Sequence, residues 1–165
     1  MNSYYEEVSK KYFKRGIIID TNILLLYIVG VFDINRIQNF KRTKQFIVQD
    51  FQLLFEYLSK YDKILTTPYI LTEVNSFLNQ IDFQSKDEIF NSFSTIINNI
   101  NEQNYNSTNL CMNNDFKKFG LTDISIYELS KSPFIVLTDD LKLSNYLANK
   151  NIDVINFNHI RPLNW

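Results

Sequence analysis

Two short apolar runs, each followed at once by acidic residues, constrain this chain most. They are Ile17-Ile18-Ile19 before Asp20-Thr21-Asn22, and Phe134-Ile135-Val136-Leu137 before Thr138-Asp139-Asp140. Short, β-branched and without a polar face, such runs read as strands buried on both sides. A strand covered on both sides belongs to a parallel sheet between layers of helix. Ile64-Leu65-Thr66 and residues 152–155 read as further strands. Between the strands, apolar spacing predicts helices over 23–29, 43–60, 68–79, 86–100, 123–131 and 141–149. Residues 3–15 read as a short charged helix with Tyr4, Tyr5, Val8 and Tyr12 on one side, ended by Gly16. The Asn-rich stretch 101–118 reads as a loop with a helical turn at 115–119. Alternating strands and helices predict an α/β fold, and such sheets bind ligands at the carboxyl ends of their strands.

The 165 residues suit one domain, 1–165, with 1–15 as an N-terminal helical extension. At 45% hydrophobic the chain can build a packed core. No apolar run reaches the roughly 20 residues that span a bilayer. The N-terminus also lacks the charged-then-apolar pattern of a secretion signal, so the expectation is a cytoplasmic protein with no membrane partner. Cys111 and His159 are each alone of their kind, which excludes an internal disulfide and a Cys-rich zinc site and, with no Ser or Cys motif to match the His, argues against nucleophilic triad chemistry. Cys111 is expected to be a small buried hydrophobe and His159 an ordinary surface or loop residue.

The acids need closer reading. Asp20 and the pair Asp139-Asp140 follow strands that point the same way in a parallel sheet, so their carboxylates share one edge. Each also starts a helix, where Asp is a good N-cap, and taken singly the cap is the plainer reading. Asp123 opens a helix after Gly120-Leu121-Thr122, where a first-turn acid is favoured by the helix dipole. Glu73 lies four residues after Tyr69 and four before Phe77, on or beside an apolar stripe. A carboxylate there either reaches water or has something to compensate it.

In their order along the chain, Ile17-Ile18-Ile19-Asp20-Thr21-Asn22, Leu71-Thr72-Glu73, Gly120-Leu121-Thr122-Asp123-Ile124-Ser125-Ile126 and Val136-Leu137-Thr138-Asp139-Asp140 resemble the PIN domain family. That family comprises metal-dependent ribonucleases, including toxin components of toxin–antitoxin pairs. The resemblance runs over roughly residues 16–158. It implies a three-layer α/β/α fold with a central parallel sheet of about five strands. It also implies an active site of Asp20, Glu73, Asp123 and Asp140, with Asp139, at the variable position of Thr-x-Asp, as a further metal-binding acid. Asn22 and Thr138 would be polar supports that orient carboxylates.

The expected cofactor is Mg²⁺ or Mn²⁺, hard cations that prefer oxygen ligands. The expected activity is endonucleolytic hydrolysis of RNA by metal-activated water, leaving a 5′-phosphate and a 3′-hydroxyl. The partners implied are the RNA substrate, an antitoxin or regulatory protein, and a second copy in a homodimer, for which an exposed apolar face of the 43–60 helix would serve. The chain is longer than the compact toxin members, at its N-terminal helix and around 30–62 and 82–118, which sets the toxin role in doubt. The competing reading is a catalytically idle PIN fold that binds RNA or protein; the presence of all four acids favours the enzyme.

Other α/β families fit less well. Haloacid-dehalogenase-like phosphatases need Asp-x-Asp where this chain has Asp20-Thr21-Asn22, and dinucleotide and P-loop folds need Gly-rich turns that are absent. With a net charge of −1 there is no global basic signature of a nucleic-acid binder. Three local clusters are basic: Lys10, Lys11, Lys14 and Arg15; Lys41, Arg42 and Lys44; and Lys117-Lys118. Solvated faces explain such clusters, but Lys117 and Lys118 adjoin an active-site block and are the expected RNA contacts.

Overall fold

The computed structural model describes residues 3–161, the side chains of Ser3, Tyr4 and Phe83 excepted. The Tyr4 side chain and the ends of the expected domain, 1–2 and 162–165, therefore lie outside the described residues. Five strands, β1 (Ile17–Ile19), β2 (Ile64–Thr66), β3 (Asn101–Glu102), β4 (Ile135–Thr138) and β5 (Val154–Asn156), pair in parallel in the order β3-β2-β1-β4-β5. Around this sheet lie α1 (Ser3–Lys10), α2 (Thr21–Phe32), α3 (Val48–Leu58), α4 (Pro68–Leu78), α5 (Lys86–Ile97), α6 (Ser107–Leu110), α7 (Phe116–Ser130) and α8 (Leu141–Asn149). The architecture is the expected three-layer α/β/α. No helix among the described residues is long and apolar enough to cross a membrane.

The register explains the apolar runs. Ile17, Ile18 and Ile19 pair with Ile135, Val136 and Leu137, and Ile17 and Ile18 also pair with Ile64 and Leu65. β1 is thus central, and all three of its isoleucines are fully buried. α2 is apolar almost all round and buried to match, as expected for a helix enclosed in a core. Gly30 lets α2 approach α3: a Cβ there would lie 2.2 Å from the Phe51 ring.

Several elements differ from the sequence reading. The first helix stops at Lys10, and residues 11–15 form turns. The helix expected over 43–60 is confined to 48–58. Ahead of it the chain turns, with the Thr43 hydroxyl donating to Ile37 O at 2.7 Å. β3 and α6 lie in the stretch read as a loop. β3 is two exposed polar residues that pair through the backbone at the sheet edge, so no side-chain pattern marks it. α7 starts at Phe116 and runs through Gly120, whose φ of 75° and ψ of −174° break it into two parts. Cys111 is exposed, not buried, because it ends α6 on a surface segment. His159 is exposed and hydrogen-bonded to the Tyr5 hydroxyl. On α3, Phe55 is half exposed and stacks on Tyr27.

Candidate active site

The chain begins its sheet at the centre, builds β2 and β3 to one side, then returns to place β4 and β5 on the other. The reversal lies between β1 and β4. In open parallel sheets this switch point, at the carboxyl ends of the strands, is where a crevice forms for ligands. Asp20 follows β1 there, and Thr138 ends β4 with Asp139 and Asp140 directly after it. The topology alone therefore directs attention to these acids.

Asp20 continues the strand pairing, its N–H donating to Leu137 O at 3.0 Å. Its side chain caps α2, with Oδ1 accepting from Thr21 N at 2.6 Å. Oδ2 accepts from the Thr138 hydroxyl at 2.6 Å. The capping reading is thus correct, but it is incomplete. Only 7% of Asp20 is exposed, and its carboxyl is pushed up to about 7. Burial is the main cause; Asp139 and Asp123 add to it, while the donors Thr138 and Thr21 N–H oppose it.

Glu73, half-buried on α4, bridges two helices. Its Oε2 accepts from the Thr21 hydroxyl at 2.8 Å and its Oε1 from the Thr122 hydroxyl at 2.6 Å. Thr67, which caps α4, hydrogen-bonds Ser125 at 2.8 Å and ties α4 to α7. That tie brings Glu73 beside Asp123. The Asp123 carboxyl is pushed up to about 6, chiefly by burial and then by Asp140 and Glu73, with Lys142 pulling the other way.

The pair after β4 divides its tasks. Asp140 is exposed and caps α8, its Oδ1 accepting from Lys142 N at 2.6 Å and Leu143 N at 3.1 Å. Asp139 is half-buried and receives Asn22 Nδ2 at 3.1 Å and Gln45 Nε2 at 3.0 Å. Burial raises the Asp139 carboxyl and Asn22 lowers it, while Asp140 raises it further and Arg161 opposes the rise. Asn22 therefore touches Asp139, and Thr138 touches Asp20. Asp139 to Asp20, Asp20 to Asp123, and Asp123 to Asp140 and Glu73 form one chain of mutually felt charges.

Oxygen-only donors in a field of uncompensated negative charge suit a hard divalent cation. Among the described residues, however, no group of three or more Asp, Glu, His or Cys is arranged to hold a metal ion. The side chains stand turned toward hydroxyl, amide and backbone donors instead. The two observations are compatible, because Mg²⁺ keeps several waters and is commonly held by only one or two carboxylates.

Sequence reading missed Thr21, Thr122, Gln45 and Lys142. Thr21 and Thr122 sit inside the motif blocks, where a hydroxyl next to an acid was the available signal. Gln45 carried none. Lys117 and Lys118 are both exposed on the first part of α7. The Lys118 carbonyl accepts from Lys142 Nζ at 2.7 Å. Lys10, Lys11, Lys14 and Arg15 precede β1, so they belong to the amino edge of the parallel sheet, away from the acids. No protein-family model matches this chain, and no curated protein matches it in sequence.

Proposed function

We propose that the chain is a metal-dependent ribonuclease of the PIN type whose centre is Asp20, Glu73, Asp123, Asp139 and Asp140. The observation that carries this reading is the convergence of these carboxylates at the sheet's switch point, where Asp20 is moved by other acids and by no cation among the described residues. Clustered carboxylates oppose one another's ionisation, a cost that a structural role would not require.

Asp20, Asp123 and Asp140, with Glu73 and Asp139 beside them, would hold Mg²⁺ or Mn²⁺. Once bound, the cation would offset negative charge on a phosphodiester and ease deprotonation of a water. The chain's own part is to fix the carboxylates. Thr138 and the Thr21 N–H lock both oxygens of Asp20. The Thr21 and Thr122 hydroxyls lock both oxygens of Glu73. Asn22 and Gln45 steady Asp139. Groups held in this way reorganise little when charge develops on a substrate.

A second reading, an idle PIN scaffold that binds RNA or protein, draws on the absence of a ready three-carboxylate cage among the described residues. A cleavage assay separates the two. Pooled cellular RNA is incubated with Mn²⁺, Mg²⁺ or EDTA, using wild type and Asp20→Asn/Asp140→Asn. The expected result is cleavage that needs metal and falls by about 10³-fold or more in the double variant. Cleavage that persists in the double variant removes these acids from the chemistry. No cleavage with either metal favours the idle scaffold.

A further inference from the structure

Beside the acids, along α7 and α8, runs a groove of about 540 Å³ whose lining includes Lys118, Phe119, Leu141, Lys142, Asn145 and Asn149. It starts one residue past Asp140, and the Lys142 ammonium lies close enough to Asp123 to act on its charge. The groove therefore adjoins the acidic centre, although none of the acids lines it. Its size falls within the roughly 300–1,000 Å³ usual for small-ligand clefts.

The walls have distinct chemistry. Lys142 Nζ lies 4.7 Å and Lys118 Nζ 5.2 Å from the centroid of the Phe119 ring, so two ammonium groups gather at one place. Neither is in an ion pair among the described residues, whereas Lys131 and Lys150 each have an acid. Lys142 faces Asp123 and Lys118 faces Asp115 across space without a direct ion pair, so both ammonium groups stay open to a ligand's phosphates. Leu141, Asn145 and Asn149 fall at four-residue intervals on α8 and form one exposed stripe. Leu141 is 58% exposed and adds an apolar surface to this otherwise polar stripe.

We propose that this groove seats the nucleotides flanking the cleaved bond of a single-stranded RNA: Lys118 and Lys142 take phosphates, Leu141 a base face, and Asn145 and Asn149 base edges. The proposal rests on the ribonuclease reading of the acids. A single strand is the fitting form for two reasons. Asp20 is recessed, so the backbone must bend inward to reach it. A duplex also keeps its base faces stacked, which would leave Leu141 nothing to cover.

The test reads binding apart from cleavage. A labelled RNA of roughly 12 nucleotides, single-stranded or annealed to its complement, is titrated by fluorescence anisotropy. The protein is the full chain carrying Asp20→Asn/Asp140→Asn, in Mn²⁺, so that the probe stays intact. The single strand is expected to bind more tightly than the duplex. Adding Lys118→Gln/Lys142→Gln should weaken binding about tenfold and reduce the slope of log affinity against log salt by about 1.4, two phosphates at about 0.7 each. Leu141→Ser should weaken binding about threefold and leave the slope unchanged. Lys10→Gln/Lys11→Gln should do neither.

Preference for the duplex, no binding, or an equal loss in the Lys10/Lys11 variant overturns the groove. The groove substitutions are then placed in the otherwise wild-type chain and cleavage is measured. Cleavage at the wild-type rate also overturns the groove and leaves the ribonuclease reading standing. Groove-dependent binding by a chain that cuts nothing in any metal overturns the ribonuclease reading and keeps the groove as an RNA seat.

Discussion

Asp20 and Asp50 are both buried aspartates at the start of helices, yet the fold treats them in opposite ways. Asp50, fully buried at the third position of α3, closes the helix start by accepting from Ile47 N at 2.9 Å. It also meets Arg161, whose Nη2 donates to Asp50 Oδ2 at 2.8 Å. Arg161 is held in turn by Asn158 Oδ1 and Gln45 O, and its guanidinium lies 5.0 Å from the Phe46 centroid. Asp20 has neutral donors only, and its nearest charged influences are other acids. Where a buried carboxylate serves the architecture, the chain brings its own cation. At the switch point the chain supplies less: Lys142 offsets Asp123 and Arg161 offsets Asp139 in part, and no cation is among the charges that move Asp20. A cation from solution is the simplest complement to that shortfall.

Removing the internal cation should have the largest effect. Arg161→Met leaves Asp50 buried without a partner and should cost about 3–5 kcal/mol, read by urea denaturation. The double change Asp50→Asn/Arg161→Met should recover much of that loss, because the stranded charge is gone. If the single change costs less than about 1 kcal/mol, Asp50 does not depend on Arg161 and the contrast fails.

At Asp20 the sign should reverse. Its folded carboxyl stands at about 7 against an ordinary 3.8. Between those values the folded chain holds a proton that the unfolded chain has released. Stability is therefore full below pH 4 and is lost as pH rises through 7. Asp123, at about 6, acts in the same direction. In EDTA the melting temperature should fall from pH 5 to pH 8. Asp20→Asn should flatten that fall, gaining on the order of 2 kcal/mol more at pH 8 than at pH 5, or about 5 °C. Mn²⁺ at pH 8 should restore wild type and affect the variant less. A wild-type melting temperature that rises between pH 5 and 8 in EDTA would show that Asp20 is compensated from within the chain.

The two aspartates also differ in how readable they were. Asp20 follows three isoleucines, and that run carries both the strand and the site. Asp123 and Glu73 were legible as members of a set, not one by one. Asp50 gave no sign, because its partner stands 111 residues away in a stretch without pattern. Gln45 and Asn158 were hidden for the same reason: one reaches the Asp139 region from a turn and the other from a short 3-10 segment, both placed by tertiary packing. β3 was missed because an edge strand can pair through its backbone with no apolar side chain. Between Asp139 and Asp140 the motif ranked Asp140 first. The structure gives Asp139 the deeper position and the side-chain partners, while Asp140 both caps α8 and acts on Asp123.

A smaller effect tests whether the acidic side carries backbone strain that the Asp50 corner lacks. Gly120 separates the lysine-bearing part of α7 from the part that carries Thr122 and Asp123. A Cβ at this position would meet nothing within 4 Å, so any cost of adding one is conformational. With φ at 75° and ψ at −174°, the residue lies outside the left-handed helical well, in a region essentially reserved for glycine. Gly120→Ala should therefore cost about 1–2 kcal/mol. Asn usually tolerates positive φ better than Ala, but the well that favours it needs ψ near +47°. Gly120→Asn should then cost as much as Gly120→Ala. A clearly smaller cost for Asn would mean that the segment relaxes into the left-handed well, which would turn Thr122 away from Glu73. The acidic side would then be the adaptable half of the molecule and the Asp50–Arg161 corner the fixed one.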